Sequence, residues 1–338
     1  MKVIHQSVFN KWDIEDNSCQ AVITSPPYYN LRKYSIPDVI IGGDKDCKHK
    51  FETIQHAPKG GKNLPTNMSK GHNRAEQDQD ISIRFGYQSN LCIHCGAWKG
   101  QYGLEPDYKS YLAHSKLWMQ EAIRVLREDG IIFVNLADTY SSVSGGMTQG
   151  KYGKLGEKLG DATGIIKQQK QDYPNKSKLL IPERFAIMCV DELGLILRNH
   201  IVWHKVNGMP ESCQDRFSKK WESIFMFVKN PKYYFNLDAI KIPKDGNSLE
   251  NKNPSDVWNI PTQPSPFNHY AMWAEKLVER MVLCSTRPND IVLDCFCGSG
   301  TTLMVAERLN RIGVGIDLGY KDIQEKRLAN ITSEFQFR

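Results

Sequence analysis

The most restrictive stretch in this sequence is an apolar run that two prolines bring to a halt. Ala21-Val22-Ile23 leads directly into Thr24-Ser25-Pro26-Pro27-Tyr28. β-Branched residues dominate the run, so it reads as a buried strand, and a double proline cannot continue a ladder. Such a strand end leaves the Ser25 hydroxyl, proline carbonyls without neighbouring donors, and the Tyr28 ring at its carboxyl end. In open α/β sheets that edge is where ligands bind. The prolines also freeze the backbone, so the carbonyls keep one direction. These groups suit a flat ring carrying an amino group: hydroxyl and carbonyl accept its two hydrogens, and the tyrosine stacks on the ring. Taken alone, the stretch also reads as a strand ending in an ordinary proline turn. A second element decides between the two.

That element is Asp290-Ile291-Val292-Leu293-Asp294-Cys295-Phe296-Cys297-Gly298-Ser299-Gly300-Thr301-Thr302. An apolar strand runs into a tight glycine turn and then into a helix carrying Leu303, Val305, Ala306 and Leu309. Glycines let the backbone approach a ligand closely, and a helix amino terminus offers unpaired N–H groups. A short strand follows, Ile312-Gly313-Val314-Gly315-Ile316-Asp317, with an acid at its carboxyl end. An acid so placed after a βα unit commonly binds ribose hydroxyls. The pair reads as a nucleoside-cofactor site. It is not a phosphate-binding P-loop, because no G-K-[ST] follows the turn, and the dinucleotide fingerprint is reduced to G-x-G.

With D-x-F-x-G-S-G-T-T at one end and T-S-P-P-Y at the other, the chain resembles the S-adenosylmethionine-dependent DNA amino-methyltransferases. The catalytic motif precedes the cofactor motif, an order similar to the permuted β-group of that family. The resemblance extends through Glu128–Leu136, Ile201-Val202-Trp203-His204-Lys205 and Met209-Pro210-Glu211-Ser212. It implies a Rossmann-like α/β methyltransferase sheet, circularly permuted, with irregular DNA-binding insertions. It implies Ser25, Pro26, Pro27 and Tyr28 as catalytic residues. Asp294, Phe296, Gly298, Ser299, Gly300, Thr301, Thr302 and Asp317 are implied as the S-adenosylmethionine site. The substrate would be double-stranded DNA with the target base flipped out. A cognate restriction endonuclease as partner, and a homodimer, are compatible with the resemblance. In the family, serine in the first position is linked more often to cytosine N4 than to adenine N6, so cytosine is the expected target and adenine the alternative. The matching H-x-A-x-[FW]-P segment of the family lines the cofactor pocket. Here it reads His269-Tyr270-Ala271-Met272-Trp273, with Ala274 where proline is common.

Other readings start from different features. Enzymes acting on RNA or protein amides usually carry N-P-P-Y and place the cofactor motif first, and this chain does neither. A non-catalytic, zinc-bearing DNA-binding module would have no use for a nucleoside pocket.

The length of 338 residues admits one large α/β domain with insertions, or two domains. The catalytic domain is expected over 1–34 and 101–338. A formal charge of +6 permits a polyanionic partner. No apolar run reaches a membrane span and the first residues are not a signal peptide, so a cytoplasmic enzyme is expected.

Between 35 and 100 neither helical nor strand periodicity persists, and an insertion is expected there. Its ends carry Cys47-Lys48-His49 and Cys92-Ile93-His94-Cys95-Gly96. Cys47, His49, Cys92 and Cys95 form a ligand set of the sort that tetrahedral zinc prefers, with His94 a spectator. One structural zinc would then staple a loop too polar to fold alone. The alternative is four such residues near one another by chance.

A second insertion, 141–180, is rich in lysine and suits a DNA clamp, or else a solvated linker. Helices are expected over Tyr108–Arg127, ended by Gly130, over Glu183–Leu193, capped by Gly194, and over Glu275–Cys284. Strands are expected over Ile131–Leu136, Ile196–Trp203 and Ser223–Val228. Asp138 reads as a turn acid or as a ligand contact. Arg216, Lys219, Lys220 and Trp221 suit contact with a nucleic-acid backbone or a plain surface.

Overall fold

Two short strands from opposite ends of the chain pair side by side, and the architecture grows from that pairing. The computed structural model describes residues 1–55, 86–141, 173–244, 250–263 and 273–327. They fall into two compact units, Met1–Pro37 with Gln101–Arg338, and Asp38–Gly100. Most of the expected basic clamp, and the His269 segment, lie outside the described residues.

In chain order the strands begin with β1 (Lys2–His5) and β2 (Cys19–Thr24). The smaller unit supplies β3 (Val39–Ile41), β4 (Phe51–Gln55), β5 (Gly86–Cys92) and β6 (Trp98–Gly100). The larger unit resumes with β7 (Leu126–Leu136), β8 (Ile196–His204), β9 (Trp221–Val228), β10 (Ile242–Pro243) and β11 (Asn251–Lys252). It closes with β12 (Val257–Asn259), β13 (Ile291–Asp294) and β14 (Ile312–Asp317). The helices are α1 (Tyr108–Val125), α2 (Ile181–Asp191), α3 (Glu275–Ser285) and α4 (Thr301–Arg308).

The larger unit is built on an eight-stranded sheet in the order β1-β14-β13-β2-β7-β9-β8-β12. All pairings are parallel except those of β9, which runs against both neighbours. From β13 the chain passes through α4 to β14 on one side, and from β2 through α1 to β7 on the other. The strand order thus reverses between β13 and β2. A reversal of this kind opens a crevice at the carboxyl ends of the strands.

β2 is buried along its whole length. Ala21 and Ile23 share a core with Ile131, Phe133, Met226 and Val278. Elsewhere in the core Trp118 of α1 stacks on Phe185 of α2 at 5.9 Å, and Phe185 meets Phe227 of β9 edge-on. Strands covered on both sides carry continuous apolar runs, as β2 and β7 do here. Asp107 starts α1 by accepting the Ser110 N–H at 2.8 Å.

Two expectations need correction. Gly130 does not end α1; the helix stops at Val125, and Gly130 lies inside β7. There the register of β2 against β7 shifts, and a Cβ on residue 130 would stand 2.8 Å from the Gln20 carbonyl oxygen. The glycine answers a close approach of two backbones, not a helix stop. The insertion is also more regular than its sequence suggests. Its short strands form a four-stranded sheet, β3-β6-β5-β4. Strands this short and polar give no alternation to read. Among the described residues no helix is long and apolar enough to cross a membrane.

Candidate active site and metal centre

The crevice at the β13–β2 reversal brings the two sequence motifs together. Val22 of β2 pairs with Leu293 of β13, and one step further along Thr24 Oγ1 donates to Asp294 Oδ1 at 2.7 Å. The other Asp294 oxygen accepts from Thr302 Oγ1 at 2.6 Å, and the Phe296 N–H donates to Oδ1 at 3.1 Å. Asp294 is 3% exposed, and its carboxylate ties β13, β2 and α4 together from inside. Burial pushes its carboxyl up to about 6, opposed by the hydrogen bonds from Thr302 and Thr24.

The glycine turn follows. Gly298 and Gly300 take φ of 49° and 84°, in the left-handed region that side chains disfavour. Gly300 caps α4 without a side-chain hydrogen bond, which leaves the first-turn N–H groups of the helix to other partners. Asp317, at the end of β14, accepts from the Gly298 and Gly319 N–H groups at 2.8 Å each. Burial raises its carboxyl above the usual range, against those backbone hydrogen bonds. About four lone-pair positions on a carboxylate leave roughly two of them for further donors. The hydroxyls of Ser299 and Thr301 both turn to Arg327, at 2.6 and 3.4 Å. Gln324 Nε2 donates to the Gly298 carbonyl at 2.6 Å, while its buried Oε1 has no partner among the described residues. Arg327 and Gln324 brace the turn, and nothing in the sequence near the motif marks them.

On the β2 side, Ser25 Oγ donates to Tyr28 Oη at 3.2 Å. Tyr28 Oη stands 2.7 Å from Asn135 Oδ1 and 2.9 Å from Glu222 Oε2. Burial, then the Glu222 charge, hold the Tyr28 phenol well above its ordinary value. The Pro27 carbonyl accepts from Tyr111 Oη at 3.0 Å, whereas no donor among the described residues reaches the Pro26 carbonyl. The Tyr111 ring stacks on Tyr102 at 4.9 Å, and Tyr102 stacks on Phe296 at 5.6 Å. An aromatic column therefore links the proline turn to the glycine turn. Phe296 belongs to that column, with Trp118 edge-on at 5.3 Å.

Beside this lies a cleft of about 370 Å³, lined in part by Leu136, Tyr140, Lys205, Phe217, Trp221 and Glu222. Lys205 forms an ion pair with Glu222. Because β9 runs against the other strands, its first residues, Trp221 and Glu222, reach the edge where the parallel strands end. Asp138 accepts from the Thr139, Leu180 and Ile181 N–H groups, which ties the end of β7 to the start of α2, and it also lines the cleft.

The smaller unit holds the second cluster. One ligand atom from each of Cys47, His49, Cys92 and Cys95 lies within 4.8 Å of all the others. Cys47 Sγ is 3.9 Å from Cys92 Sγ, and Cys95 Sγ is 3.4 Å from His49 Nδ1. A tetrahedron with Zn–S bonds of 2.3 Å has S–S edges of about 3.8 Å. A Cβ on Gly43, at φ of 73°, would come within 2.8 Å of Cys95 Sγ, so the turn packs tightly on the cluster.

The Asp294 clamp yields a stability test. A folded pKa raised above the unfolded value of about 3.9 contributes stability that is full below that pH and lost as pH rises through about 6. Asp294→Asn, which keeps an acceptor for Thr24, should flatten that slope in denaturant titrations between these pH values. Asp294→Ala, which strands three donors, should cost about 3 kcal/mol. Equal stability of the alanine variant and the wild type would contradict the clamp.

Comparison with known proteins agrees with this geometry. The family model described as DNA methylase matches residues 19–326. The Type II methyltransferase M.Cfr9I of Citrobacter freundii is 37% identical over 232 residues, covering 68% of this chain and 74% of its own. M.SmaI of Serratia marcescens is 34% identical over 231 residues, covering 68% and 77%. Among solved structures, the PvuII cytosine-N4-specific DNA methyltransferase matches with a TM-score of 0.53 at 16% identity, over 94% of this chain and 86% of that one. A protein of Thermus thermophilus, described as a candidate DNA modification methylase and solved with S-adenosyl-L-methionine, gives 0.50 at 18% identity, over 94% and 88%. With its permuted motifs meeting at one sheet edge, the chain belongs to the N6/N4 DNA methylase family of amino-methyltransferases.

Proposed function

We propose that this methyltransferase moves a methyl group from S-adenosylmethionine to cytosine N4 of a base flipped out of duplex DNA. One observation carries the reading: Ser25 stands next in sequence to Thr24, whose hydroxyl is bonded to the acid that opens the glycine turn. Acceptor groups for an amino nitrogen and a turn suited to a nucleoside thus share one crevice. S-adenosylmethionine, when bound, would supply an electrophilic methyl group on a sulfonium sulfur whose positive charge drives the transfer.

The residues fit that cofactor by their chemistry. The Gly298–Gly300 backbone admits close approach, the uncapped α4 terminus offers N–H donors, and Asp317 keeps lone pairs for ribose hydroxyls. Ser299, Thr301 and Thr302 build the turn through Arg327 and Asp294. On the substrate side, an exocyclic amino group is a poor nucleophile because its lone pair is delocalised into the ring. Ser25 Oγ gives its own proton to Tyr28, so its lone pairs point outward as acceptors. With the Pro26 carbonyl as the second acceptor, the two amino hydrogens are held and the nitrogen shifts towards tetrahedral. Positioning and exclusion of water then supply most of the rate. The Tyr28 ring, fixed by its hydroxyl, offers a face for the base.

The mouth of the cleft suits DNA. Phe217 is 97% and Met209 86% exposed on a loop that also carries Arg216 and Lys219. Both cations lie over the Tyr140 ring, at 4.4 and 5.6 Å. Apolar side chains left in water among cations suit contact with unstacked bases and phosphates. Serine in the first motif position favours cytosine N4, in line with the name of the PvuII fold neighbour. Cys47, His49, Cys92 and Cys95 would hold one structural zinc in the smaller unit. A cytoplasmic setting belongs to the same reading, since all nine cysteines are free.

Ser25→Ala should lower turnover about 100-fold and leave cofactor affinity intact. Asp317→Ala should weaken that affinity about tenfold in calorimetry. The opposite pattern would overturn the assigned roles. Digestion of DNA labelled by the enzyme should release N4-methylcytosine; N6-methyladenine would overturn the base while keeping the reaction. Elemental analysis should return about one zinc per chain, and a folded, metal-free preparation would refute the site.

A further inference from the structure

Tyr28 Oη has one proton and too many acceptors. Asn135 Nδ2 donates to the Ser223 carbonyl at 3.0 Å, which fixes the amide so that Oδ1 faces Tyr28. Glu222 presents a second acceptor oxygen to the same phenol. Ser25 spends its proton on Tyr28 as well. The phenol proton can therefore satisfy Asn135 or Glu222, but not both. A single additional proton resolves the conflict. Placed on Glu222 Oε2 it donates to Tyr28 Oη, and Tyr28 donates to Asn135.

We propose that Glu222 is the proton acceptor of the methyl transfer, acting through Tyr28 and Ser25 on the amino group of the base. The inference rests on the methyl-transfer reading of this site. The amino nitrogen takes a methyl carbon whose bond to sulfur breaks with the electron pair left on sulfur. The nitrogen then carries a positive charge, and one N–H bond breaks with its electron pair kept on nitrogen. That proton passes to Ser25 Oγ, the Ser25 proton to Tyr28 Oη, and the Tyr28 proton to Glu222 Oε2. Each hop within the protein follows an existing hydrogen bond, 3.2 Å from Ser25 to Tyr28 and 2.9 Å from Tyr28 to Glu222. The Lys205 ammonium holds the other Glu222 oxygen. Glu222 also lines the cleft, which gives the proton a way out to water. Charge that develops on the nitrogen in the transition state is thereby drawn off as it forms.

The test uses the full-length protein, tritiated S-adenosylmethionine and amplified, hence unmethylated, genomic DNA, with single-turnover rates read at saturating DNA. Glu222→Gln and Tyr28→Phe should each slow the rate about 10- to 100-fold, with cofactor affinity within about twofold of wild type. The double variant should lose no more than the slower single, because both cut one relay. Glu222→Asp, shorter but still a carboxylate, should be faster than the isosteric glutamine; a merely structural role reverses that order. A Glu222→Gln rate within about twofold of wild type, or a double variant whose loss equals the product of the singles, would overturn the relay alone. No transfer to DNA by the wild type would overturn the reading of the site, and the relay with it.

Discussion

One buried carboxylate joins the two halves of the proposed active site. Asp294 accepts hydrogen bonds from Thr24, Thr302 and Phe296, which come from a strand near the amino terminus, a helix near the carboxyl terminus, and the turn between β13 and α4. Thr24 precedes Ser25 and Phe296 precedes the glycines, so the same acid sets the distance between the proposed amino-group acceptors and the proposed nucleoside turn. Burying a carboxylate is costly unless it is hydrogen-bonded, and here three donors serve it. Its raised pKa is the remaining cost of that arrangement.

The second organising feature is the direction of one strand. Parallel strands deliver only their carboxyl ends to the ligand edge. β9, running the other way, delivers its amino end and brings Glu222 to Tyr28 from 194 positions along the chain. The sheet thus adds a carboxylate to a proline turn that carries none of its own. The proline-frozen turn supplies fixed acceptors, the aromatic column of Tyr111, Tyr102 and Phe296 holds it against the glycine turn, and the Glu222–Lys205 pair closes the remaining side.

Much of this was legible in the sequence, because it is local. Ala21–Tyr28 and Asp290–Thr302 each announce a strand, its end and the chemistry there, and the helices of α1, α2 and α3 follow from apolar spacing. The C-x-H and C-x-x-C-G knuckles announced the cluster of the smaller unit at a separation of 45 residues between Cys47 and Cys92. What escaped was what depends on pairing. Gly130 looked like a helix stop because a close strand approach leaves no local mark. Glu222 drew no reading at all, since strand direction is not written in residue types. The donors that give Asp138 its place in a turn, Leu180 and Ile181, lie far along the chain and were not foreseen. The bonds by which Asp294 ties Thr24 to Thr302 also depend on strand pairing and left no local mark. The polar strands β3 to β6 escaped because they are too short to alternate.

A crystal structure of the protein with sinefungin, an analogue whose amine replaces the transferable methyl group, tests the central geometry most directly. If the glycine turn and Asp317 hold the nucleoside while Ser25 holds the acceptor nitrogen, the analogue's amine should lie within about 6 Å of Ser25 Oγ, one hydrogen bond plus one near-attack separation. An analogue bound elsewhere, or one seated on the turn with its amine pointing away from the β2 edge, would contradict the account.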